Sequence, residues 1–493
     1  MPPSGYLSSV GIEACIQYIT STYPAISQLI TLPEQSVQGR TIRALKIGTG
    51  GGSHRHGLLL IGGVHARELV PPDALVTLAI RLCQAYTGNT GLTYGGRTYA
   101  PGTVKLIVEG LDLFILPLVN PDGRTFVQAP TGDFNWRKNR RPNPGGCFGV
   151  DINRNYDFLW SSGIGTSSNP CEYQVYKGPA PFSEPETRNV RWMLDTYANI
   201  ECMVDVHSYS ELILYPWGDD DNQTTDPAMN FQNPAYNGLR GNPGDSIYRE
   251  YIPAHDRDWF VNSGTQVRSA ISAVRGRTYL LEQGVGLYPT SGTSDDYAYG
   301  RHFVDSAKER VYAYVIEVGS GAAGGFQPQY SEALQQIAEV SSGLVQYAIQ
   351  CLCAVETTGR LTKKKKGFAE FDKWKGKLEE SAAGRRYLEL IPVVSAALLP
   401  LLADDRFIRE DAGTLLEGIG EAVEANPEDP RIDGDLVGRA TKLLDRLEKA
   451  GGRDVAAAVQ ELKADAKLYR NKPLREGLEA AGKRLQSSKG SAR

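Results

Sequence analysis

The 493-residue sequence has little of what marks a nucleic-acid-binding or membrane-spanning protein. Its formal net charge is -4 and its pI is near 6.0, so it offers no broad basic surface to a phosphate backbone. The densest basic run, four lysines at residues 363–366, is typical of a short linker. The longest apolar run, residues 387–403, is interrupted by Glu389, Pro392 and Pro400, which favours core helices over a membrane span. We therefore expect neither nucleic acid nor membrane as a partner.

The first residues also lack the features of an export signal. Residues 1–6 have neither a basic start nor an apolar core, so a cytoplasmic location is predicted. Seven cysteines, an odd number, do not make a complete disulfide framework. Cys147 and Cys171 nevertheless bracket a loop-rich segment and could pair in an oxidising compartment, which leaves an exported form open.

The length and composition are those of a globular protein with a large domain and a smaller one. Hydrophobic residues make up 41% of the chain and aromatic residues 9%. In the first part of the chain, apolar runs typical of buried strands alternate with stretches of helical spacing, which predicts an α/β layer architecture. The predicted helices are residues 7–24 and 72–86, and the predicted strands are residues 41–47, 58–61, 111–119, 200–206, 212–215 and 311–318.

A histidine and a glutamate follow directly on the predicted strand 58–61. Gly62 and Gly63 end this strand, and His65 and Glu68 then stand three residues apart. An isolated pair of this spacing often arises by chance on a surface helix. Here His207 ends a second strand-like run in the same way. Because zinc binds three or four nitrogen, oxygen or sulfur donors, these three residues predict a zinc site.

A loop rich in arginine and lysine lies between the His65 and Glu68 pair and His207. Residues 135–157 include Arg137 in the segment WRK and Arg154 in the segment NRN. A guanidinium group matches a carboxylate with two parallel hydrogen bonds, so either arginine could bind one. Each alone would be interpreted as a solvated surface charge, but their position between metal-ligand candidates favours a function.

Glu317 interrupts the apolar strand 311–318. A carboxylate in such a strand costs free energy unless it is paired, protonated or functional. A structural ion pair is a common explanation, so Glu317 alone does not establish a site. Before it, the Gly- and Ser-rich loop at residues 288–296 could swing the phenol of Tyr288.

Together these residues make the chain resemble the zinc metallocarboxypeptidases of the carboxypeptidase A and B family, over about residues 6–350. The resemblance implies a mixed sheet of the eight-stranded type flanked by helices. It implies one Zn²⁺ per chain, bound by His65, Glu68 and His207, and the C-termini of peptides or proteins as substrate. It also implies catalytic roles for Glu317 as general base, for Arg137 as the group that polarises the scissile carbonyl, and for the mobile Tyr288.

The resemblance assigns the remaining polar residues to substrate binding or to support of the metal. Asn153 and Arg154 are implied as the clamp for the terminal carboxylate. Arg67 is implied as a subsite residue, and Tyr209 joins the predicted substrate-binding residues. Asp151 is implied as the carboxylate that orients the first zinc histidine.

The resemblance also suggests a substrate preference. In the family, the residue seven positions after the mobile tyrosine lies at the bottom of the pocket for the C-terminal side chain, and an aspartate there accompanies removal of Lys or Arg. Counting from Tyr288 reaches Asp295, which predicts a basic or mixed preference. The alternative is that Asp295 turns away and caps the loop. The other predicted wall positions, of which two would still admit an apolar side chain, are Gly218, Gln283, Leu287 and Thr290.

Three features depart from the family pattern. No propeptide is visible, and the stretch between Gly218 and Tyr288, with a predicted surface excursion at residues 219–256, is longer than in the digestive enzymes. The chain also continues past the helix, residues 331–354, that should end the domain. We predict a catalytic domain at residues 1–354, a linker at 355–369 and an all-α domain of four to six helices at 370–493. The apolar stripes of that domain are interpreted as core, and its partner is unknown.

Two other classes of function compete with a peptidase. One is a non-catalytic peptide-binding or scaffold protein that kept the fold, whose signature would be loss of Glu317 or of a metal ligand. The other is an amidase or deacylase of related fold, which would be expected to lack the complete Asn-Arg clamp. Neither signature is present in the sequence.

Overall fold

The structure is a computed structural model that describes residues 5–50, 55–352, 378, 381–450 and 453–490. The chain forms two compact units: the first comprises residues up to 104 and 108–351, and the second comprises residues 105–107 and those from 352 onward. The predicted linker, with its four lysines, lies outside the described residues, as do the predicted boundaries at residues 354 and 370.

A mixed sheet of eight strands forms the centre of the first unit, in agreement with the predicted fold. The strands are β1 Ser27–Thr31, β2 Arg43–Ile47, β3 His56–Gly62, β4 Leu111–Leu116, β5 Ile200–His207, β6 Leu212–Tyr215, β7 Leu280–Gln283 and β8 Tyr312–Glu317. Their spatial order is β1-β2-β4-β3-β5-β8-β6-β7. The four central strands β4, β3, β5 and β8 are mutually parallel, so their carboxyl ends meet at one edge of the sheet.

Helices cover this sheet and connect its strands. Those of the first unit are α1 Ser9–Thr22, α2 Val70–Thr87, α3 Pro101–Gly110, α4 Pro121–Gln128, α5 Pro185–Thr196, α6 Ala254–Arg275, α7 Ser294–Val304 and α8 Tyr330–Gln350. Two short ladders pair Leu92–Tyr94 with Arg97–Tyr99 and Asn222–Gln223 with Glu250–Tyr251. Single 3₁₀ turns lie at Pro144–Gly146, Ile152–Arg154, Trp160–Ser162, Pro234–Tyr236, Gly284–Gly286 and Gly321–Ala323.

The chain turns sharply where β3 leaves the core. Residues 58–61 are fully buried, as a central strand covered on both faces requires. Gly63 then adopts φ +63°, and an added Cβ would lie 2.8 Å from side-chain atoms of Pro72 and Leu118. A glycine is needed here for its backbone conformation and for the close approach. This turn delivers the residues that follow it to the carboxyl edge of the sheet.

Several predicted boundaries differ from the structure by a few residues, and two of them involve proline. Strand β4 ends at Leu116 and not at residue 119, because Pro117 has no N–H to donate to the ladder. Helix α2 begins at Val70, two residues earlier than predicted, with Pro71 and Pro72 in its first turn. Proline is tolerated there since the first N–H groups of a helix have no intrahelical partner.

The predicted surface excursion at residues 219–256 is wrong in part. Asp219, Asp220 and Glu250 are buried, and Arg240 is buried with them. The Asp220 carboxylate accepts a hydrogen bond from the Gly241 N–H at 2.8 Å. A charged composition indicated solvent exposure, but these charges face one another and the backbone.

Two disulfides lie in the first unit. Cys147 pairs with Cys171, as the sequence suggested, and Cys202 of β5 pairs with Cys351, which the sequence did not indicate. Among the described residues, Cys15 and Cys83 are free. The second pair joins residues 149 positions apart, a separation at which spacing carries no information.

The second unit is helical. Its described helices are α9 Ala382–Asp404, α10 Arg406–Ala425, α11 Gly434–Ala450, α12 Arg453–Ala466 and α13 Leu474–Gly490, with a short ladder between Arg431–Ile432 and Lys472–Pro473. The predicted stripes pack against each other: Leu443 and Leu447 of α11 share one buried cluster with Val455 and Val459 of α12. They are core, as interpreted from their spacing. In the described part of the chain, no helix is long and apolar enough to span a bilayer.

Candidate metal centre and substrate cleft

Three potential metal ligands meet at the carboxyl edge of the sheet. His65 and Glu68 lie in the loop between β3 and α2, and His207 is the last residue of the neighbouring β5. Strands β3 and β5 pair in parallel with Gly62 opposite Val206, which brings the two loops together. The predicted pair is therefore on a loop, and the two strand ends place it beside His207.

The donor atoms of these three residues converge. The two Nδ1 atoms of His65 and His207 are 3.0 Å apart, and the Glu68 carboxylate lies 2.7 Å from the first and 3.1 Å from the second. One donor atom from each residue falls within 4.8 Å of the others, and all three residues are buried. Within the described residues this is the one such group of His, Cys, Asp or Glu side chains.

The electrostatics of this group fit a cation. Burial by itself would lower the pKa of His207, but the carboxylates of Asp205 and Glu68 outweigh it and raise the pKa well above its usual range. Burial would likewise raise the pKa of Glu68, but His65 and His207 hold it below its usual range. A negative field that favours a proton on imidazole also favours a metal ion there. With two imidazoles and one carboxylate, the donor set is that of a catalytic zinc site.

Asp151 joins the metal ligands to the cation-rich loop. Its Oδ1 lies 3.2 Å from Nε2 of His65 and accepts the Asn153 N–H at 3.1 Å. Its Oδ2 accepts two hydrogen bonds from Arg137, from Nε at 3.1 Å and from Nη2 at 3.0 Å. Burial would raise the pKa of Asp151, but Arg137 and His65 outweigh it and hold the carboxyl ionised. Asp151 thus fixes His65 and Arg137 in one arrangement.

Glu317 stands beside this group. It ends β8 and pairs in parallel register with His207. Burial and the nearby Glu68 carboxylate raise its pKa to about 7. No salt bridge holds Glu317 within the described residues, so the structure does not support the alternative of a structural ion pair.

Asn153 and Arg154 lie in the 3₁₀ turn after Asp151. The side-chain oxygen of Asn153 accepts the Ser294 N–H at 2.9 Å, which leaves its NH₂ group to donate elsewhere. Arg154 is only 2% exposed, yet its guanidinium donates to the backbone oxygens of Gly165 and Asn153 and to no carboxylate in the described chain. A buried cation without an anion is a site prepared for one.

The predicted mobile tyrosine lies over this cation. Tyr288 is 46% exposed, and the Arg154 guanidinium carbon lies 5.8 Å from the centre of its ring. It sits in a loop after the 3₁₀ turn Gly284–Gly286. An exposed phenol beside a buried guanidinium covers the place where an anion would bind.

Two predicted substrate residues pack on an aromatic side chain that sequence reasoning missed. The Arg67 guanidinium lies 4.0 Å from the ring centre of Phe326, and the Tyr209 ring meets the same phenylalanine edge-on at 4.7 Å. Phe326 lies in a glycine-rich loop without periodicity, so no pattern could have indicated it. The three side chains therefore form one contiguous cluster.

Asp295 and Asp296 lie in the first turn of helix α7, and their side chains have different partners. Asp296 accepts hydrogen bonds from the Gly218 N–H at 3.1 and 3.2 Å, which ties it to the predicted pocket wall. Asp295 is also buried, and burial raises its pKa, moderated by the Thr293 hydroxyl. The wall is continuous, since the Thr290 N–H donates to the Gly218 oxygen at 2.7 Å.

Comparison with known proteins gives a consistent result. The family model described as zinc carboxypeptidase matches residues 12–342. A carboxypeptidase B of Astacus astacus is 31% identical over 319 residues, which are 64% of this chain and 86% of that protein. A carboxypeptidase A4 of Mus musculus is 28% identical over 327 residues, which are 66% of this chain and 65% of that protein.

Solved structures share the fold. Bovine thrombin-activatable fibrinolysis inhibitor, in its complex with tick carboxypeptidase inhibitor, matches with a TM-score of 0.54 and 22% identity, covering 70% of this chain and 97% of that one. At this identity the likeness concerns architecture alone. The family match carries more, because residues 12–342 include His65, Glu68, His207 and Glu317. The relative from Astacus astacus, at 31% identity, agrees with it. The chain therefore belongs to the zinc carboxypeptidase family, and it is a zinc-dependent metallocarboxypeptidase that acts on peptide C-termini.

Proposed function

We propose that His65, Glu68 and His207 hold the zinc ion, and that the enzyme removes C-terminal residues with a preference that includes Lys and Arg. The observation that carries this proposal is the convergence of the three buried donors beside Glu317 and a buried, unpaired Arg154. When bound, zinc acidifies a water molecule and polarises the scissile carbonyl. The chain's own residues perform the other tasks.

Glu317 serves as general base and then as general acid. Its pKa of about 7 suits a group that must accept a proton and return it near neutral pH. It takes the proton from the attacking water and gives it to the departing amine nitrogen. The position of Glu317 beside His207 in the sheet supports this role, since both side chains lie at the same strand ends.

Arg137 stabilises the negative charge that develops on the carbonyl oxygen. Asp151 holds it through Nε and Nη2, and no hydrogen bond involves Nη1 in the described chain. A donor fixed before the reaction costs no reorganisation when the charge forms.

Arg154 and Asn153 select the substrate end. A free carboxylate can accept two parallel hydrogen bonds from the Arg154 fork and one from the Asn153 NH₂ group. An internal peptide bond offers no such anion, so the clamp restricts cleavage to the last residue. The presence of this clamp argues against an amidase or deacylase of related fold, and the complete ligand set with Glu317 argues against a scaffold.

The basic preference rests on Asp295. It is buried in the first turn of α7, while Asp296 beside it is already tied to the Gly218 N–H. Asp295 accepts hydrogen bonds from Thr293 and from backbone N–H groups of its own turn but forms no ion pair in the described chain. A buried carboxylate without a cation favours a cationic substrate side chain, because an apolar one leaves the charge without a counter-charge. Leu287, a predicted wall position, packs against the apolar side chains of Leu212, Leu214 and Val315. The relative from Astacus astacus bears the name carboxypeptidase B, which supports a preference for a basic C-terminal residue.

The metal ligands are tested by zinc stoichiometry. We expect the purified protein to hold one zinc and His207→Ala to hold less than a stoichiometric amount, measured by mass spectrometry of the metal. Retention of zinc and activity in that variant refutes the ligand set.

The preference is tested with matched peptides ending in Arg or Leu. We expect Asp295→Ala to lower the ratio of kcat/KM for Arg over Leu. Asp305→Ala is the matched control, because it removes the same charge from an exposed position just past the far end of α7. An Arg-to-Leu ratio that is equal in Asp295→Ala and in the wild type shows that Asp295 does not contact the substrate side chain.

We also propose that the enzyme works in an oxidising compartment. The two disulfides support this over the cytoplasmic location predicted from the N-terminus. Mass spectrometry after alkylation of the protein from its native source tests it: alkylation of Cys147, Cys171, Cys202 and Cys351 without prior reduction refutes it.

A further inference from the structure

A second carboxylate lies behind the metal ligands. Asp205 is on β5, two residues before His207, and it is fully buried between Val204 and Val206. Its Oδ2 lies 3.0 Å from Nε2 of His207. Alternating strand geometry places residues 205 and 207 on the same face, so the contact follows from the sequence order.

No cation side chain neutralises this aspartate. Within the described residues, Asp205 forms no salt bridge with lysine or arginine, and its Oδ1 has no hydrogen bond. Nε2 of His207 likewise has no partner in the described chain apart from Oδ2 of Asp205 at 3.0 Å. An ionised carboxylate in the core costs much free energy unless a positive group faces it. The imidazole of His207 faces Asp205, and it would supply positive charge if its Nδ1 held a metal ion.

A serine connects this carboxylate to the clamp. The Ser294 hydroxyl donates to Oδ2 of Asp205 at 2.6 Å, and the Ser294 N–H donates to the Asn153 side-chain oxygen at 2.9 Å. Ser294 is fully buried at the start of α7. One residue therefore positions both the carboxylate behind the metal ligand and the amide that faces the substrate.

We propose that Asp205 is the positioning residue for the second zinc histidine: it holds the Nε2–H tautomer of His207, so that Nδ1 faces the metal, and Ser294 keeps Asp205 and Asn153 aligned. This inference rests on the zinc ligands proposed above. Asp205 thereby does for His207 what Asp151 does for His65. Ligand histidines whose second nitrogen is held in this way bind their metal more tightly.

Asparagine at position 205 is the sharpest test, because it keeps the shape and removes the charge. Its NH₂ group can turn to Nε2 of His207, which favours the wrong tautomer. We expect Asp205→Asn to weaken zinc binding by about 10- to 100-fold in competition with a chromophoric chelator. We also expect a changed visible absorption spectrum of the cobalt(II)-substituted protein. Ser294→Ala, which removes one donor and leaves Asp205 in place, should give a smaller loss.

Asp256→Asn is the matched control. Asp256 is equally buried, accepts hydrogen bonds from Tyr299 and Tyr312, and lies on α6 away from the metal ligands. If zinc affinity in Asp205→Asn stays within about threefold of the wild type, or falls no more than in Asp256→Asn, the proposal is wrong. If metal-free Asp205→Asn unfolds at a lower temperature than the control, its loss of zinc could come from a damaged fold. The zinc affinity of Ser294→Ala then decides between the two explanations, and an unchanged zinc affinity in that variant overturns the proposal. If the wild-type protein binds no stoichiometric zinc, the proposed zinc ligands are wrong. This outcome is distinct from a failure of the Asp205 proposal, in which the wild type binds zinc and the variant binds it equally well.

Discussion

Arg154 provides a direct test of why this enzyme is an exopeptidase. The side chain is 2% exposed, and its hydrogen bonds in the described chain go to the backbone oxygens of Gly165 and Asn153, so its charge awaits a partner. We expect Arg154→Ala to lower kcat/KM on peptides with a free C-terminus and to leave the residual cleavage of C-terminal amides nearly unchanged. The variant should still bind zinc, because the hydrogen bonds of Arg154 in the described chain go to Gly165 and Asn153 and to no metal ligand.

The magnitude follows from the number of hydrogen bonds in the clamp. A hydrogen bond to a charged group contributes about 1.5–3 kcal/mol, so a bidentate pair contributes about 3–6 kcal/mol. At about 1.4 kcal/mol per factor of ten, kcat/KM should fall by roughly 10²–10⁴. Solvent screening calls for little discount, since the guanidinium is buried. Arg154→Lys keeps the charge without the fork and should fall between the wild type and Arg154→Ala.

The assay compares two substrates across two proteins. Initial rates for a blocked dipeptide and for its C-terminal amide, each measured on wild type and Arg154→Ala, form a double cycle that isolates the contact between guanidinium and carboxylate. We expect the strong preference of the wild type for the acid to disappear in the variant. If the acid-to-amide ratio changes by less than about threefold, Arg154 does not bind the terminal carboxylate.

Three other predictions concern the general base and the stability of the first unit. Glu317→Gln should keep one zinc and lose about two to four orders of magnitude in kcat, whereas activity within about tenfold of wild type would assign the base to another group. Glu317 must be ionised to accept a proton, and its pKa is raised to about 7, so kcat/KM should fall as the pH drops toward the acid side. Because bound zinc lowers the pKa of Glu317, the midpoint of this fall should lie below pH 7. The fall at acid pH must be absent in Glu317→Gln. Arg124→Met leaves the buried Asp73 without its 2.8 Å partner and should destabilise the unit by about 3–5 kcal/mol, measured as a lower urea midpoint for loss of activity; an unchanged midpoint would show that Asp73 is neutral in the wild type.

The metal site could be predicted because it depends on strand ends. His65 and His207 each follow a run of apolar residues, and parallel central strands bring such ends to one edge. Glu317 could be identified in the same way, since it ends β8. In each case a polar residue interrupts an apolar run at the end of a strand. The order of the strands in the sheet then determines which of these residues are neighbours. Sequence distance was no obstacle to these predictions.

Other parts of the site could not be predicted, because they depend on side-chain contacts that no pattern records. Ser294 has no feature in the sequence that separates it from the serines around it, yet it donates to Asp205 and its N–H holds Asn153. The two aspartates that follow it differ in their contacts, since Asp296 accepts a hydrogen bond from the Gly218 N–H. Asp205 itself had a readable signal, a carboxylate inside an apolar strand, and the same reasoning that selected Glu317 would have selected it.

The arrangement of Asp151 explains why metal binding and substrate recognition occur in one short segment of chain. Its carboxylate accepts the Asn153 N–H and two bonds from Arg137, and it lies within 3.2 Å of His65. The proposed metal ligand His65, the proposed oxyanion donor Arg137 and the start of the proposed clamp therefore share a single anchor, and a displacement of that anchor moves all three. Loss of Asp151 should for this reason disturb zinc affinity, KM and kcat together, unlike loss of Glu317, which touches the proton transfer alone.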